Sequence, residues 1–249
     1  MTTLLEKELD ANHASFLQDW TTQAQANWGK LSGHKHFSAS YRRLSCLNGI
    51  QHALILPQFG NDSAAFFLEA QNDALVSHVS ANVGSWRAAL QSLRSCVENV
   101  LCSIFYNEHP VELELWAKGD FRIGFADLHR YMVKHPRLSS YGSAITGLDT
   151  IKGEYELLSK AVHASAKSFR MTEGAAKVLL WSIEEAKLGA WSTREKRVLE
   201  AICSLSACYF ALQLQGNKQA GLRSVMFFAI GKARRDQLKQ RVGIAISPP

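Results

Sequence analysis

The segment Ser85–Pro110 restricts the fold of this chain more than any other stretch. Trp86, Leu90, Leu93, Val97, Val100, Leu101 and Ile104 recur at steps of three and four. That spacing puts them on one stripe of an α-helix. Ser85 stands at the cap position after the chain-breaking Gly84, and Pro110 prevents continuation. Arg87, Arg94 and Glu98 fall beside the stripe, not opposite it, and Arg94 and Glu98 are four residues apart. Charged groups at the edge of a buried stripe are partly desolvated and need partners. The helix is therefore predicted to serve both as a core element and as one wall of a polar site.

A second helix, Gly147–Phe169, supplies the opposite wall. Leu148, Ile151, Tyr155, Leu158, Val162 and Ala166 form its apolar stripe, with Glu156, Ser159 and His163 along its polar edge. If the two helices pack side by side, Arg94 and Glu98 meet Ser159 and His163. Histidine can shuttle protons near neutral pH, and arginine can bind a phosphate or stabilise developing negative charge. That is the chemistry of phosphodiester cleavage through a 2′-hydroxyl, and it needs no metal. The same residues also make a self-contained polar network, with Arg94 paired to Glu98 and His163 bonded to a carbonyl or carboxylate. The two readings differ in whether the spot opens to solvent.

Composition narrows the class. The chain has 249 residues, 47% hydrophobic and 20% charged, as expected of a globular protein with an ample core. No basic segment followed by an apolar run opens it, and the uncharged stretch Ala201–Asn217 is short and polar for a membrane span. A cytoplasmic protein without membrane contact is expected. The five cysteines have no ligand-like spacing and read as buried small hydrophobes. His34 and His36 flank Lys35 in a stretch read as a polar link, Leu31–Ser40, with no companion ligands nearby. No metal and no cofactor is expected, since phosphate-loop, dinucleotide, zinc-protease and serine-hydrolase motifs are all missing from the sequence.

The charge is uneven. The chain is formally +6, and from Gly216 onward seven basic residues stand against Asp236 alone, so the remainder is neutral. Lys232, Arg234, Arg235 and Lys239 lie in this basic tail and are candidates for contact with nucleic acid or an acidic protein face.

The other elements follow from periodicity. Helices are expected over Thr3–Gly29, with Leu5, Leu9, Phe16, Trp20 and Ala24 inward, and over Ser63–Val79, Asp127–His135 and Thr172–Leu188. Two more are expected over Ser192–Leu214, where Ser192 and Glu195 form a capping-box pattern, and over Lys218–Arg241. The six tryptophans mostly fit helical stripes and read as core. Tyr41–Leu56 is apolar in both registers and fits helix or strand. Val111–Phe125 alternates as a hairpin would, although a short helix from Pro110 to Gly119 also fits. The expected fold is mainly α: one helical bundle spanning residues 1–249, with at most one small hairpin near 111–125 and a possible subdivision near 138–146.

The runs Leu93-Arg94-Ser95-Cys96-Val97-Glu98 and Leu158-Ser159-Lys160-Ala161-Val162-His163, with His109-Pro110-Val111-Glu112-Leu113 between them, resemble all-helical bacterial proteins of the HEPN group (higher eukaryotes and prokaryotes nucleotide-binding). The resemblance covers about Ser85–Met171. It implies a helical bundle that binds or cleaves RNA in a phage-defence or toxin system. Ribonucleases of that group carry Arg-x(4–6)-His, and Arg130 with His135 matches this spacing as an alternative site, as does Arg122 with His129. A role of another class is a non-catalytic helical subunit, or a homodimer, that docks on a larger partner through the basic C-terminal helix.

Overall fold

The computed structural model describes residues 3–162, 170–173, 177–178, 180–216 and 218–249. Among these, the chain runs through α1 (Leu4–Leu31), α2 (Lys35–Ile50), α3 (Asn61–Asn82), α4 (Trp86–Glu108), α5 (Pro110–Lys118) and α6 (Phe125–Lys134). Short helices α7 (Pro136–Ser139) and α8 (Ser143–Thr146) lead into α9 (Leu148–Val162). A minimal antiparallel pair, β1 (Thr172–Glu173) with β2 (Lys177–Val178), comes before α10 (Glu185–Tyr209), α11 (Ala211–Leu214), α12 (Ala220–Met226) and α13 (Lys232–Arg241). The protein is a mainly α bundle. No helix among the described residues is long and apolar enough to cross a membrane.

Helices α4 and α10 form its centre. The stripe read in α4 is buried along its whole length, from Trp86 to Ile104. On one side α4 packs along α3, and on the other it meets α9 and α10. The centre of α10 is buried on nearly all sides from Val198 to Phe210, because α2, α9, α4 and several short helices all lean on it. One continuous core runs from Leu31 to Ile246.

Several elements depart from their local pattern, each for a physical reason. Tyr41–Leu56 is helical: α2 widens into a π-turn at Gln51–Ile55, and most of its apolar residues are buried where it packs against α3, α10 and α12, while Arg42, Ser45, Asn48 and His52 face outward. The predicted link at 31–40 is mostly the first turns of α2, since the His34 ring caps the His36 N–H. The expected hairpin at 111–125 is absent. Pro110 sits in the first turn of α5, and Gly119, at φ +83°, ends it in the left-handed conformation that favours glycine. Residues Thr172–Leu188 are not one helix, and α10 begins only at Glu185. The Ser192–Glu195 pattern caps nothing, because both residues lie inside α10 and are buried. The C-terminal helix is broken at residues 227–231, between α12 and α13. Only some tryptophans are core: Trp86 and Trp191 are buried, whereas Trp20, Trp28 and Trp116 are exposed.

Glu195 instead organises a buried polar network. It accepts a hydrogen bond from Arg43 Nε at 2.7 Å and from the Ser40 hydroxyl at 3.0 Å. The Ser40 proton is thereby committed, so His78 Nδ1, 2.9 Å away, donates to Ser40 Oγ. The His78 ring stacks on Phe37 with centroids 3.8 Å apart. Burial first, and the Arg43 charge second, lower the His78 pKa from 6.5 to about 4. The unfolded chain therefore takes up this proton before the folded one, and the stabilising effect, full above pH 6.5, is lost as pH falls towards 4. Relative to His78→Gln, the wild-type protein should lose about 3 kcal/mol between those limits in urea unfolding. Burial pushes the Glu195 carboxyl upward, which gives the opposite trend. That trend is common to both proteins and cancels in the difference. Parallel pH curves for the two would show that His78 is not held neutral.

Candidate functional site

Helices α4 and α9 do bring Arg94, Glu98 and Ser159 together. Arg94 Nη1 and Nη2 grip both Glu98 oxygens, at 2.9 and 3.1 Å, and Nε donates to Ser159 Oγ at 3.1 Å. Tyr155 completes the cluster: its hydroxyl accepts from Arg94 Nη2 and donates to Glu98 Oε1 at 2.6 Å. The Arg94 guanidinium also lies 4.6 Å over the Tyr155 ring. Tyr155 was read as core only. Its hydroxyl had no sequence signal as a site group, because a tyrosine in an apolar stripe looks like any other aromatic. His163 lies outside the described residues.

The chemistry of this cluster is largely spent. Four of the five Arg94 N–H groups are engaged. The Ser159 hydroxyl donates to the Tyr155 carbonyl at 2.8 Å. Burial, reinforced by the Glu98 carboxylate, pushes the Tyr155 hydroxyl up to about 12, far above neutral titration. Ser159 and Tyr155 do border an open cleft of about 870 Å³ between α6 and α9, lined also by Phe125, His129, Lys152 and Glu156. Phe125 stacks flat on Tyr155 at 3.5 Å, and His129 Nε2 donates to the Leu148 carbonyl at 3.1 Å.

Arg130 and His135 are not assembled into a site. Arg130 is exposed and pairs with Asp127. His135 is buried, its Nδ1 accepting the Arg137 N–H and its Nε2 donating to Glu108 at 2.7 Å. The Tyr131 and Tyr209 hydroxyls reach the same carboxylate at 2.6 Å each. Burial alone would raise the Glu108 pKa, but these three bonds outweigh it and hold the carboxylate ionised. His135 thus anchors α6 and α7 to α10 through that network.

The basic tail is only partly available. Arg234 Nη1 donates to the carbonyls of Ala144 and Ile145, and Arg235 donates to the Ile230 carbonyl at 2.6 Å while lying over Phe227. Lys232 pairs with Asp236, and Lys239 points to solvent. Two of the four cations read as a nucleic-acid surface are therefore structural ties.

A further cluster of cations lies between α9 and α10. One part is a pocket of about 540 Å³ whose cations are Arg87, Lys160, Arg170, Lys187 and Arg194, over a floor that includes Leu90 and Leu157, with no Asp or Glu among its described lining residues. Arg87, Arg170 and Lys187 have no ion-pair partner among the described residues. Arg194 also lines the adjoining pocket of about 460 Å³, with Arg197, Arg234, Glu154 and Glu200. There the buried Glu154 is held by Arg194 and Arg197, both at 3.0 Å. These cations come from α4, α9, α10, α13 and residue 170, and no local pattern joins them.

The comparisons with known proteins add nothing to this geometry: no protein-family model, curated protein or solved structure matches the chain.

Proposed function

We propose that this protein binds single-stranded RNA along the groove between α9 and α10. The observation that carries this reading is a concave site with five cations, three of them unpaired among the described residues, and no carboxylate among its described lining residues. Like charges held together without counter-charges repel, and an anion relieves that repulsion. The shared Arg194 links this pocket to a second one holding Arg197 and Arg234, where Glu154 and Glu200 offset much of the charge, so the free cations lie in the first pocket. RNA is the strand that the HEPN-like resemblance implies. Binding fits the geometry better than cleavage, because Arg94 and Ser159 are occupied by their neighbours. A docking role for the C-terminal helix is weakened by the inward use of Arg234 and Arg235.

The test is fluorescence anisotropy with a labelled single-stranded RNA. Arg87→Glu with Lys187→Glu should weaken binding at least ~10-fold and lower the slope of log affinity against log salt by about 1.4. The control Lys232→Glu with Lys239→Glu should change little. Equal affinity for the groove variant and the wild type would remove the groove from the reading. Equal affinity for DNA would remove the preference for RNA.

A further inference from the structure

A concave site with aromatic walls lies between α3 and α5. Helix α5 buries none of its own residues. Trp116 holds it to the body, its ring meeting Phe66 at 4.7 Å and Tyr106 at 6.0 Å, together with Leu113, which packs on the core. Beside these contacts the two helices leave a pocket of about 660 Å³, well within the size range of ligand sites. Phe66 and Trp116 both line it and stay partly uncovered, Trp116 being 44% exposed.

The same pocket is one-sided in charge. Asp62, Glu69 and Glu114 line it, and no Lys, Arg or His is among its described lining residues. None of the three carboxylates has an ion pair or a hydrogen bond among the described residues. Helix α3 carries Asp62, Glu69 and Asp73 over 22 residues without a Lys or Arg. The resulting field reaches Asp73: burial pushes its carboxyl up, and Glu69 and Glu98 push it further, although Asn99 donates to it at 2.8 Å. Helix α1 gives the contrast. Its Glu8, Asp10 and Asp19 are exposed as well, but Leu5, Leu9, Phe16 and Trp20 stand bare beside them on a single convex helix.

We infer that the α3–α5 pocket binds an arginine side chain from a basic segment of a partner protein. The walls select the group. Aromatic faces attract a cation, and carboxylates supply its acceptors. A guanidinium is planar, weakly hydrated and forked, so it can stack on a ring and grip a carboxylate at once, whereas an ammonium is more strongly hydrated. The apolar stem of arginine suits Phe66, Leu113 and Trp116. Charge selects the partner. Asp62 to Asp73 is ~16 Å of helix, longer than one side chain reaches, so a segment with more than one basic residue matches the strip. Nucleic acid is repelled from it. The clustered free cations of a second copy, Arg87, Arg170 and Lys187, lie inside that copy's own pocket, and one concave site does not enter another.

The test is fluorescence anisotropy of the full chain with a labelled peptide of Arg-Gly-Gly repeats, without RNA. Glu69→Lys with Glu114→Lys should weaken binding at least ~10-fold. Glu8→Lys with Asp19→Lys makes the same change of net charge on α1 and should stay within ~2-fold of the wild type. Trp116→Leu keeps an apolar contact with Phe66 but removes the ring face, and should weaken binding about 3-fold. A peptide of Lys-Gly-Gly repeats should bind at least ~3-fold more weakly than its arginine counterpart. No binding of the arginine peptide, an equal loss in the α1 control, an unchanged Trp116→Leu or equal affinity for the lysine peptide would each overturn the inference. So would self-association of the chain that Glu69→Lys with Glu114→Lys abolishes, since the pocket would then belong to a second copy. Glu69 and Glu114 are exposed, so their variants should fold, and circular dichroism checks that they do.

Discussion

Glu195→Ala should lower the unfolding free energy by about 3–5 kcal/mol, the largest single-residue loss expected outside the apolar core. Arg43 is 5% exposed and Glu195 1%, and Arg43 Nη2 lies 2.5 Å from Glu195 Oε2. Removing the carboxylate leaves a guanidinium in the core with no counter-charge and takes the acceptor from the Ser40 hydroxyl. Water cannot replace either partner without opening the α2–α10 interface. Folding free energies are commonly about 5–15 kcal/mol, so a loss of this size is a large share of the total. The measurement is urea unfolding followed by tryptophan fluorescence. The double change Arg43→Met with Glu195→Leu should recover most of the loss, because replacing both charges by apolar groups removes the unpaired one. A deficit below about 1 kcal/mol for Glu195→Ala would mean the pair is not desolvated.

Gly147→Ala should be nearly as damaging, at about 2–5 kcal/mol, through the backbone. Gly147 joins α8 to α9 at φ +85°, and an added Cβ would lie 2.8 Å from the Ala201 carbonyl oxygen and 2.9 Å from its Cα. Neither atom can swing aside, since both belong to the backbone of α10. Gly119 provides the control: it has φ +83° in the same left-handed region, but a Cβ there meets nothing within 4 Å. Gly119→Ala should therefore cost only the left-handed strain, about 1–2 kcal/mol. The gap between the two thermal shifts measures the close approach of α9 to α10. Because the proposed RNA groove lies between those helices, Gly147→Ala should also weaken RNA binding at temperatures where it remains folded, and Gly119→Ala should not. Equal losses at the two glycines would mean that α9 can retreat from α10 freely.

The helices with one clear stripe were legible in the sequence. α4 starts and ends within a residue or two of its reading, and the inward residues of α9 from Leu148 to Leu158 are buried or half-buried as their spacing requires. The meeting of Arg94, Glu98 and Ser159 was legible too, because charges beside a buried stripe must find partners where the stripe packs. Whether that meeting leaves the groups available was not legible. It depends on the Tyr155 hydroxyl, which takes up one Arg94 donor and one Glu98 oxygen. The Ser192–Glu195 pattern misled because a cap and a core ion pair use the same residue types. Only the arrival of Arg43 from α2 distinguishes them. The α1 stripe misled in the opposite sense: periodicity marks a face that wants burial but not what lies within reach to bury it.

Periodicity in the chain is set by hydrogen bonds between residues four apart, so the sequence is enough to establish a mainly α bundle, its central helix and most inward faces. Tertiary structure alone decided where the charges converge. Arg87, Arg170, Lys187 and Arg194 share one pocket although more than a hundred positions separate the first from the last. Two tail arginines that looked available are turned onto backbone carbonyls. Electrostatic fields add over distance in space rather than along the chain. A basic groove is therefore recorded in no local pattern and exists only once α4, α9 and α10 are packed together.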